Sequence, residues 1–243
     1  GHIWKFITLA YIPPTIAGIV LAYRGKLLAG GILTAFFLAL QIMSNHVQMS
    51  YYFLFVILFI AGAYFEDAWR NKTLPRFFKA SAVLLVAALI GVAANLSNLY
   101  HTYTYSKETM RDKSELVQTG DAAKQTSSGL DRDYITNWSY GIGETWTLLV
   151  PNFKGGSSSA PLSQSETAME KANPMYGSLY NSFPQYFGSQ PWTAGPVYVG
   201  AFVLFLFVLG CFIVKGPLKW ALLGATFFSI VLAWGKNFMP LTD

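Results

Sequence analysis

Three stretches of the chain carry side chains that can do chemistry on a polar substrate. The densest is residues 129–146, GLDRDYITNWSYGIGETW. Asp131 and Asp133, two apart, form a pair able to hold a divalent cation that would neutralise a departing phosphate. Glu144 is a further carboxylate able to act as a general base, and Arg132 is a cation for an anionic substrate. Trp138, Tyr140 and Trp146 offer ring faces for a sugar. The same residue types also suit an ordered loop without chemistry, in which Asp131 caps a helix and Arg132 pairs with a neighbour.

The second stretch is SNHVQMSYY at residues 44–52, preceded by Gln41. Asn45, His46 and Gln48 can bind a lipid headgroup there, and His46 can relay a proton. A tight interfacial turn that caps the next helix would use the same residues. In the third stretch, LVPNFKGG at 149–156, Lys154 and the following glycine amides can meet a phosphate, but no Walker spacing is present and a solvated turn accounts for these residues more simply. Asn137-Trp138-Ser139 fits the glycosylation acceptor pattern, which chance also supplies often. No HExxH, CxxC, GxSxG or Rossmann fingerprint argues for metal hydrolysis, dithiol redox, acyl transfer or dinucleotide binding.

The elements that must position these residues are apolar. Hydrophobic residues make up 53% of the chain and charged ones 12%, roughly half the charge of an ordinary soluble domain. The net charge of +5 does not point to nucleic acid, because the excess sits at the ends of apolar runs. Residues 99–193 hold seven Lys/Arg against nine acids, so that segment is slightly acidic. The one cysteine, Cys211, lies within an apolar run and excludes a disulfide inside the chain. The chain opens on Gly1-His2 directly before an apolar stretch, with no initiator Met or leader, and both ends read as cut from a longer protein.

Six spans are predicted, over residues 4–23, 27–43, 49–64, 77–96, 194–214 and 220–234. Pro13 and Pro14 break or kink the first, so a count of five stays open. The fold class that follows is all-α: a polytopic helical membrane bundle with one long extracytoplasmic loop. It divides into four spans in residues 1–98, the loop at 99–193, and two spans with an outward C-terminal end in 194–243. Cations orient it: Arg24 and Lys26, then Arg70, Lys72, Arg76 and Lys79, then Lys215 and Lys219 mark alternate connections as cytoplasmic. Within the loop, residues 107–130 are polar and partly helical by pattern, and the GGSSSAPLSQSE tract at 155–166 is flexible by composition. Residues 174–192 set aromatics among prolines, as at a membrane interface. No internal repeat is present, and Gly30-Gly31 alone is too weak to argue close helix packing.

Several phrases resemble the bacterial YfhO-type membrane proteins of the GT-C glycosyltransferase superfamily. They are LAYRGKLLAGG at 21–31, SNHVQMSYYF at 44–53, DYITNWSYGIGETWTLLVPNFKGG at 133–156, YFGSQPWTAGPVYVGA at 186–201 and VKGPLKWALL at 214–223. The resemblance implies a multi-pass protein of the bacterial cytoplasmic membrane that moves a sugar from a polyprenyl-phosphate donor to an envelope glycopolymer or protein acceptor outside. It implies membrane lipid as surroundings, a divalent cation as a possible cofactor, and no nucleic acid partner. GT-C enzymes carry their catalytic carboxylate in the first extracytoplasmic loop, which here would precede Gly1. Asp131, Asp133 and Glu144 are then supporting groups, with Asn45, His46, Gln48, Arg132, Trp138, Tyr140, Trp146 and Lys154 bordering the substrate. Two rivals remain. A transporter or flippase of a lipid-linked substrate needs ionisable residues at mid-membrane, where the predicted spans carry almost none. A noncatalytic assembly partner would use the loop for docking alone.

Overall fold

The computed structural model describes residues 3–107, 135–193, 195 and 197–242. Its regular elements are helical; among the described residues no strand occurs, only isolated bridges within the loop. The helices are α1 (Ile3–Ala10), α2 (Ile12–Tyr23), α3 (Leu27–Met43), α4 (Val47–Arg70), α5 (Leu74–Ala93), α6 (Leu96–Ser106), α7 (Glu166–Glu170), α8 (Ala201–Ile213), α9 (Pro217–Ala233) and α10 (Met239–Thr242). The described chain falls into two compact units: residues 3–107 with 215–225, and residues 135–193 and 197–214 with 226–242.

Each predicted span contains an apolar helix. Three stretches are long enough to cross a membrane: Ile3–Tyr23 with 21 residues, Val47–Arg70 with 24 and Leu74–Ala93 with 20. Leu27–Met43 and Pro217–Ala233, at 17 residues, and Ala201–Ile213, at 13, are shorter. At a rise of about 1.5 Å per residue, the last covers about 20 Å of a hydrocarbon layer roughly 30 Å thick. Pro13 and Pro14 interrupt the first stretch only slightly. They stand in the first turn of α2, where a missing N–H costs little, and Tyr11 before them keeps right-handed backbone angles. The Thr15 hydroxyl and amide both bond the Tyr11 carbonyl at the break. Helix α6, LSNLYHTYTYS, lies where a loop is predicted; its tyrosines are spaced without an apolar stripe, which hides it from periodicity.

The first unit is held by small residues. Gly18 and Ala22 on α2 meet Gly30 and Thr34 on α3, so the two backbones touch. A Cβ added at Gly30 would stand 2.5 Å from the Ala22 nitrogen and 2.7 Å from the Gly18 carbonyl oxygen. The next residue faces another helix: a Cβ on Gly31 would lie 2.9 Å from a Val83 methyl of α5. One on Gly91 of α5 would lie 3.3 Å from the Ala35 oxygen and Ala39 nitrogen. The Gly30-Gly31 pair, too weak as a sequence signal, therefore packs α3 against α2 on one side and α5 on the other. In lipid there is no hydrophobic drive between helices, so such close approach is the main attraction available. Large residues point outward instead, with Leu28, Ile32, Phe36, Leu54, Leu58, Leu85 and Leu89 all exposed.

The two ends of these helices differ in chemistry. At one end, Arg24, Lys26, Arg70, Lys72, Arg76 and Lys79 punctuate the turns, and the Arg76 guanidinium donates to the Arg24 carbonyl at 3.5 Å. Tyr23 stacks there between Tyr64 and Phe77 at centroid distances of 4.7 and 5.3 Å. The opposite end is tied by hydroxyls and amides. Thr8 and Ser44 share a hydrogen bond, Ser44 also donates to the Gln41 carbonyl, and the Asn95 amide donates to the Ala39 and Gly91 carbonyls.

Glycines that look alike in the sequence should respond differently to a methyl group. Gly30→Ala is expected to destabilise the first unit by about 1–3 kcal/mol through overpacking, whereas Gly62→Ala, with open space at its Cβ position, should be neutral or slightly stabilising. Unfolding in detergent micelles, followed by helical circular dichroism, separates the two.

Candidate functional site

The second unit gathers most of the predicted site residues that the structure describes. Residue 141 is an extended glycine, and a 3₁₀ segment, Ile142–Leu148, begins after it. With three residues per turn, Glu144 and Thr147 share one face of that segment and both are buried. Ile142 and Trp146 lie on its two other faces and are exposed.

Glu144 is the centre of the arrangement, only 2% exposed. Its Oε1 accepts from the Tyr186 hydroxyl at 2.9 Å, the Ser189 backbone N–H at 2.6 Å and the Ser189 hydroxyl at 3.4 Å. Oε2 is buried without a hydrogen-bond partner. Among the described residues no Lys, Arg or His comes within ion-pair distance of this carboxylate. The strap carrying Tyr186 and Ser189 can approach only because residue 188 is glycine. A Cβ there would stand 2.0 Å from the Tyr186 hydroxyl oxygen and 2.2 Å from Glu144 Oε1.

Burial pushes the Tyr186 hydroxyl up to about 12; the Gln190 N–H that it accepts works the other way, and its bond to Glu144 and the charge there add to the rise. Tyr140 is raised as well, by burial first and by the Glu144 charge second.

Two further segments close around residues 136–146. Gln190 donates its side-chain amide to the Trp138 carbonyl at 2.6 Å. From the end of α9, the Ala233 carbonyl accepts the Tyr140 N–H at 2.8 Å, and the Trp234 indole donates to the Thr145 hydroxyl at 2.8 Å. The Lys236 N–H reaches the Ser139 hydroxyl, and the Asn237 amide reaches the Tyr140 carbonyl. The Gly/Ser tract at 155–166 is paired with the strap. Gly156 N–H donates to the Gln185 carbonyl, Phe187 N–H to the Lys154 carbonyl, and Leu162 N–H to the Phe183 carbonyl. Residues 183–190 thus pair with residues 154–162, burying Tyr186 and Gln190 and leaving the Phe183 and Phe187 rings exposed.

Trp138 and Trp146 are 49% and 55% exposed on this scaffold, and the Trp146 ring lies 6.5 Å from that of Phe153. Tyr140 is half-buried. Half-buried Lys154 brings its ammonium beside Gly143, 3.8 Å from where a Cβ would stand. Asp131, Arg132 and Asp133 lie outside the described residues. No cluster of three or more His, Cys, Asp or Glu able to hold a metal ion occurs among the described residues. Asn45, His46 and Gln48 belong to the first unit, at the turn between α3 and α4. Asn45 adopts a left-handed backbone and exchanges hydrogen bonds with Thr102, and His46 precedes α4 without a side-chain cap.

The partners that sequence reasoning missed are Tyr186, Gly188, Ser189 and Gln190, with Trp234 and Asn237. A glycine on each side of Ile142, just before Glu144, was the local signal for a tightly enclosed carboxylate. No family model, curated protein or solved structure matches this chain.

Removing the carboxylate strands its donors. Glu144→Ala should cost about 1–3 kcal/mol in the second unit and Glu144→Gln less, since the amide oxygen can still accept at Oε1. Hydrogen exchange at Ser189 reports the loss. A second outcome concerns pH. Tyr186 ionises near its ordinary 10.0 when unfolded and about 12 when folded, so its contribution is complete below pH 10 and lost as pH rises through 12. Wild type should therefore lose stability more steeply than Tyr186→Phe across that window, as read by tryptophan fluorescence during thermal unfolding.

Proposed function

We propose that this chain is part of a membrane glycosyltransferase of the GT-C kind, in which residues 137–154 bind the sugar and phosphate of a polyprenyl-phosphate donor. The observation that carries this reading is the Glu144 clasp. It holds two exposed indoles, Trp138 and Trp146, and the Lys154 ammonium on one short, enclosed segment. Indole faces suit the C–H face of a sugar ring, and an ammonium beside backbone amides suits a phosphate. Glu144 is closed over by the strap, so its role is to fix this surface from beneath. The reacting carboxylate is expected upstream of Gly1, with Asp131 and Asp133 assisting, by themselves or through a divalent cation.

The YfhO-type phrases support the same reading. In this account the six apolar helices all span the bacterial cytoplasmic membrane and residues 99–193 face outward. The cation-rich end of the first unit is then cytoplasmic. The donor tail rests in the bilayer while the acceptor, an envelope glycopolymer or protein, approaches from outside.

One observation favours a different class. Gln41 of α3 is fully buried with both polar atoms of its amide unpartnered, and an unsatisfied polar side chain within a membrane helix marks transport pathways elsewhere. A flippase of a lipid-linked substrate is the alternative on that ground.

Sugar transfer by the protein at its natural length, in proteoliposomes supplied with labelled polyprenyl-phosphate sugars, tests both. Trp146→Ala and Lys154→Ala should each lower kcat/KM about tenfold, chiefly through KM, with Trp146→Phe restoring most of the loss. Wild-type transfer that neither variant alters would remove this surface from the site. Translocation of the lipid without transfer would move the assignment to a flippase.

A further inference from the structure

A pocket of about 310 Å³ opens at the cation-rich end of the first unit, far in sequence from the Glu144 clasp. Arg24, Tyr64 and Asp67 line it from the ends of α2 and α4, and Lys215, Gly216 and Pro217 from the turn into α9. Neither Arg24 nor Lys215 is ion-paired with Asp67 or with any other described carboxylate. Asp67 Oδ1 accepts the Asn71 amide at 3.1 Å, so two cations and one anion line one cavity with no ion pair among them.

That charge pattern has a chemical counterpart. A phosphodiester needs charge-assisted donors, which a guanidinium and an ammonium supply, while a primary ammonium needs a carboxylate and gains from an aromatic face. Tyr64 can provide that face, because its stacking on Tyr23 at 4.7 Å fixes the ring. A purely anionic headgroup would leave Asp67 opposed to its own charge. The surroundings select a lipid over a soluble phosphate. Asp67 lies in the last turns of the 24-residue apolar helix α4, next to exposed Trp69, and exposed Trp220 follows Lys219, whose ammonium lies 4.7 Å from that ring. Tryptophan and lysine in this arrangement mark headgroup depth.

We infer that the Arg24–Asp67–Lys215 pocket binds the headgroup of an amine-bearing phospholipid, phosphatidylethanolamine, with the phosphate on Arg24 and Lys215 and the ammonium on Asp67. The site is independent of the sugar-binding reading, and neither its success nor its failure bears on Glu144.

Native mass spectrometry of the purified chain in detergent, with equal amounts of phosphatidylethanolamine, phosphatidylglycerol and phosphatidylcholine, tests it. Wild type should retain phosphatidylethanolamine about tenfold better than either competitor, a difference of one charge-assisted hydrogen bond. Asp67→Asn should erase the preference over phosphatidylglycerol, and Lys215→Gln should weaken retention of both, with helical circular dichroism unchanged. Equal retention of all three lipids by wild type overturns the inference, and this arm needs no variant to fold. Displacement of the lipid by soluble phosphoethanolamine at matched concentration overturns the lipid assignment in favour of a soluble ligand.

Discussion

A carboxylate withdrawn from water must be answered by donors, and Glu144 is where the second unit meets that requirement. Three donors converge on Oε1, and all three come from the strap at Tyr186 and Ser189, more than forty residues along the chain. Few other side chains in this unit are fully enclosed, and those that are, such as Thr136, Ser139, Thr147 and Gln190, are mostly polar. The loop thus lacks an apolar core of ordinary kind. It is organised by a hydrogen-bond network around one ionisable group, and the surface tryptophans inherit their positions from it.

The first unit answers the opposite problem. Where α2, α3 and α5 meet, the buried positions are mostly glycine, alanine and threonine, with Ile19 among them, while many leucines, phenylalanines and isoleucines of the unit are exposed. Attraction between α2, α3 and α5 depends on how closely their backbones approach, so Gly18, Gly30 and Gly91 carry what large side chains carry elsewhere. Polar side chains then tie the end formed by Thr8, Ser44 and Asn95. The cations remain at the other end, where water can reach them.

Much of this was legible from residues alone. The apolar segments, the cationic turns and the dense polar stretch around Glu144 all stand where pattern reading puts them, because each is a local property of composition. What escaped reading is non-local. Nothing near Glu144 announces that Tyr186 and Ser189 will bond it, nor that Trp234 and Asn237 will close over Thr145 and Tyr140 from beyond a helix. Gly30 and Gly31 read as one weak pair because two partner helices, not one, give them meaning. One span folds shorter than the pattern suggests: of residues 194–214 the helix takes Ala201–Ile213, starting after Gly200 in its left-handed conformation, whereas Leu27–Met43 matches its predicted span and Pro217–Ala233 exceeds the predicted 220–234.

In the proposed function a donor sugar lies against residues 137–154. Photo-crosslinking with a polyprenyl-phosphate sugar that carries a diazirine on the sugar ring, mapped by peptide mass spectrometry, addresses it directly. The account predicts labels within residues 137–154, competed by unlabelled donor. Labels confined to the membrane helices, with this segment unmodified, would contradict it.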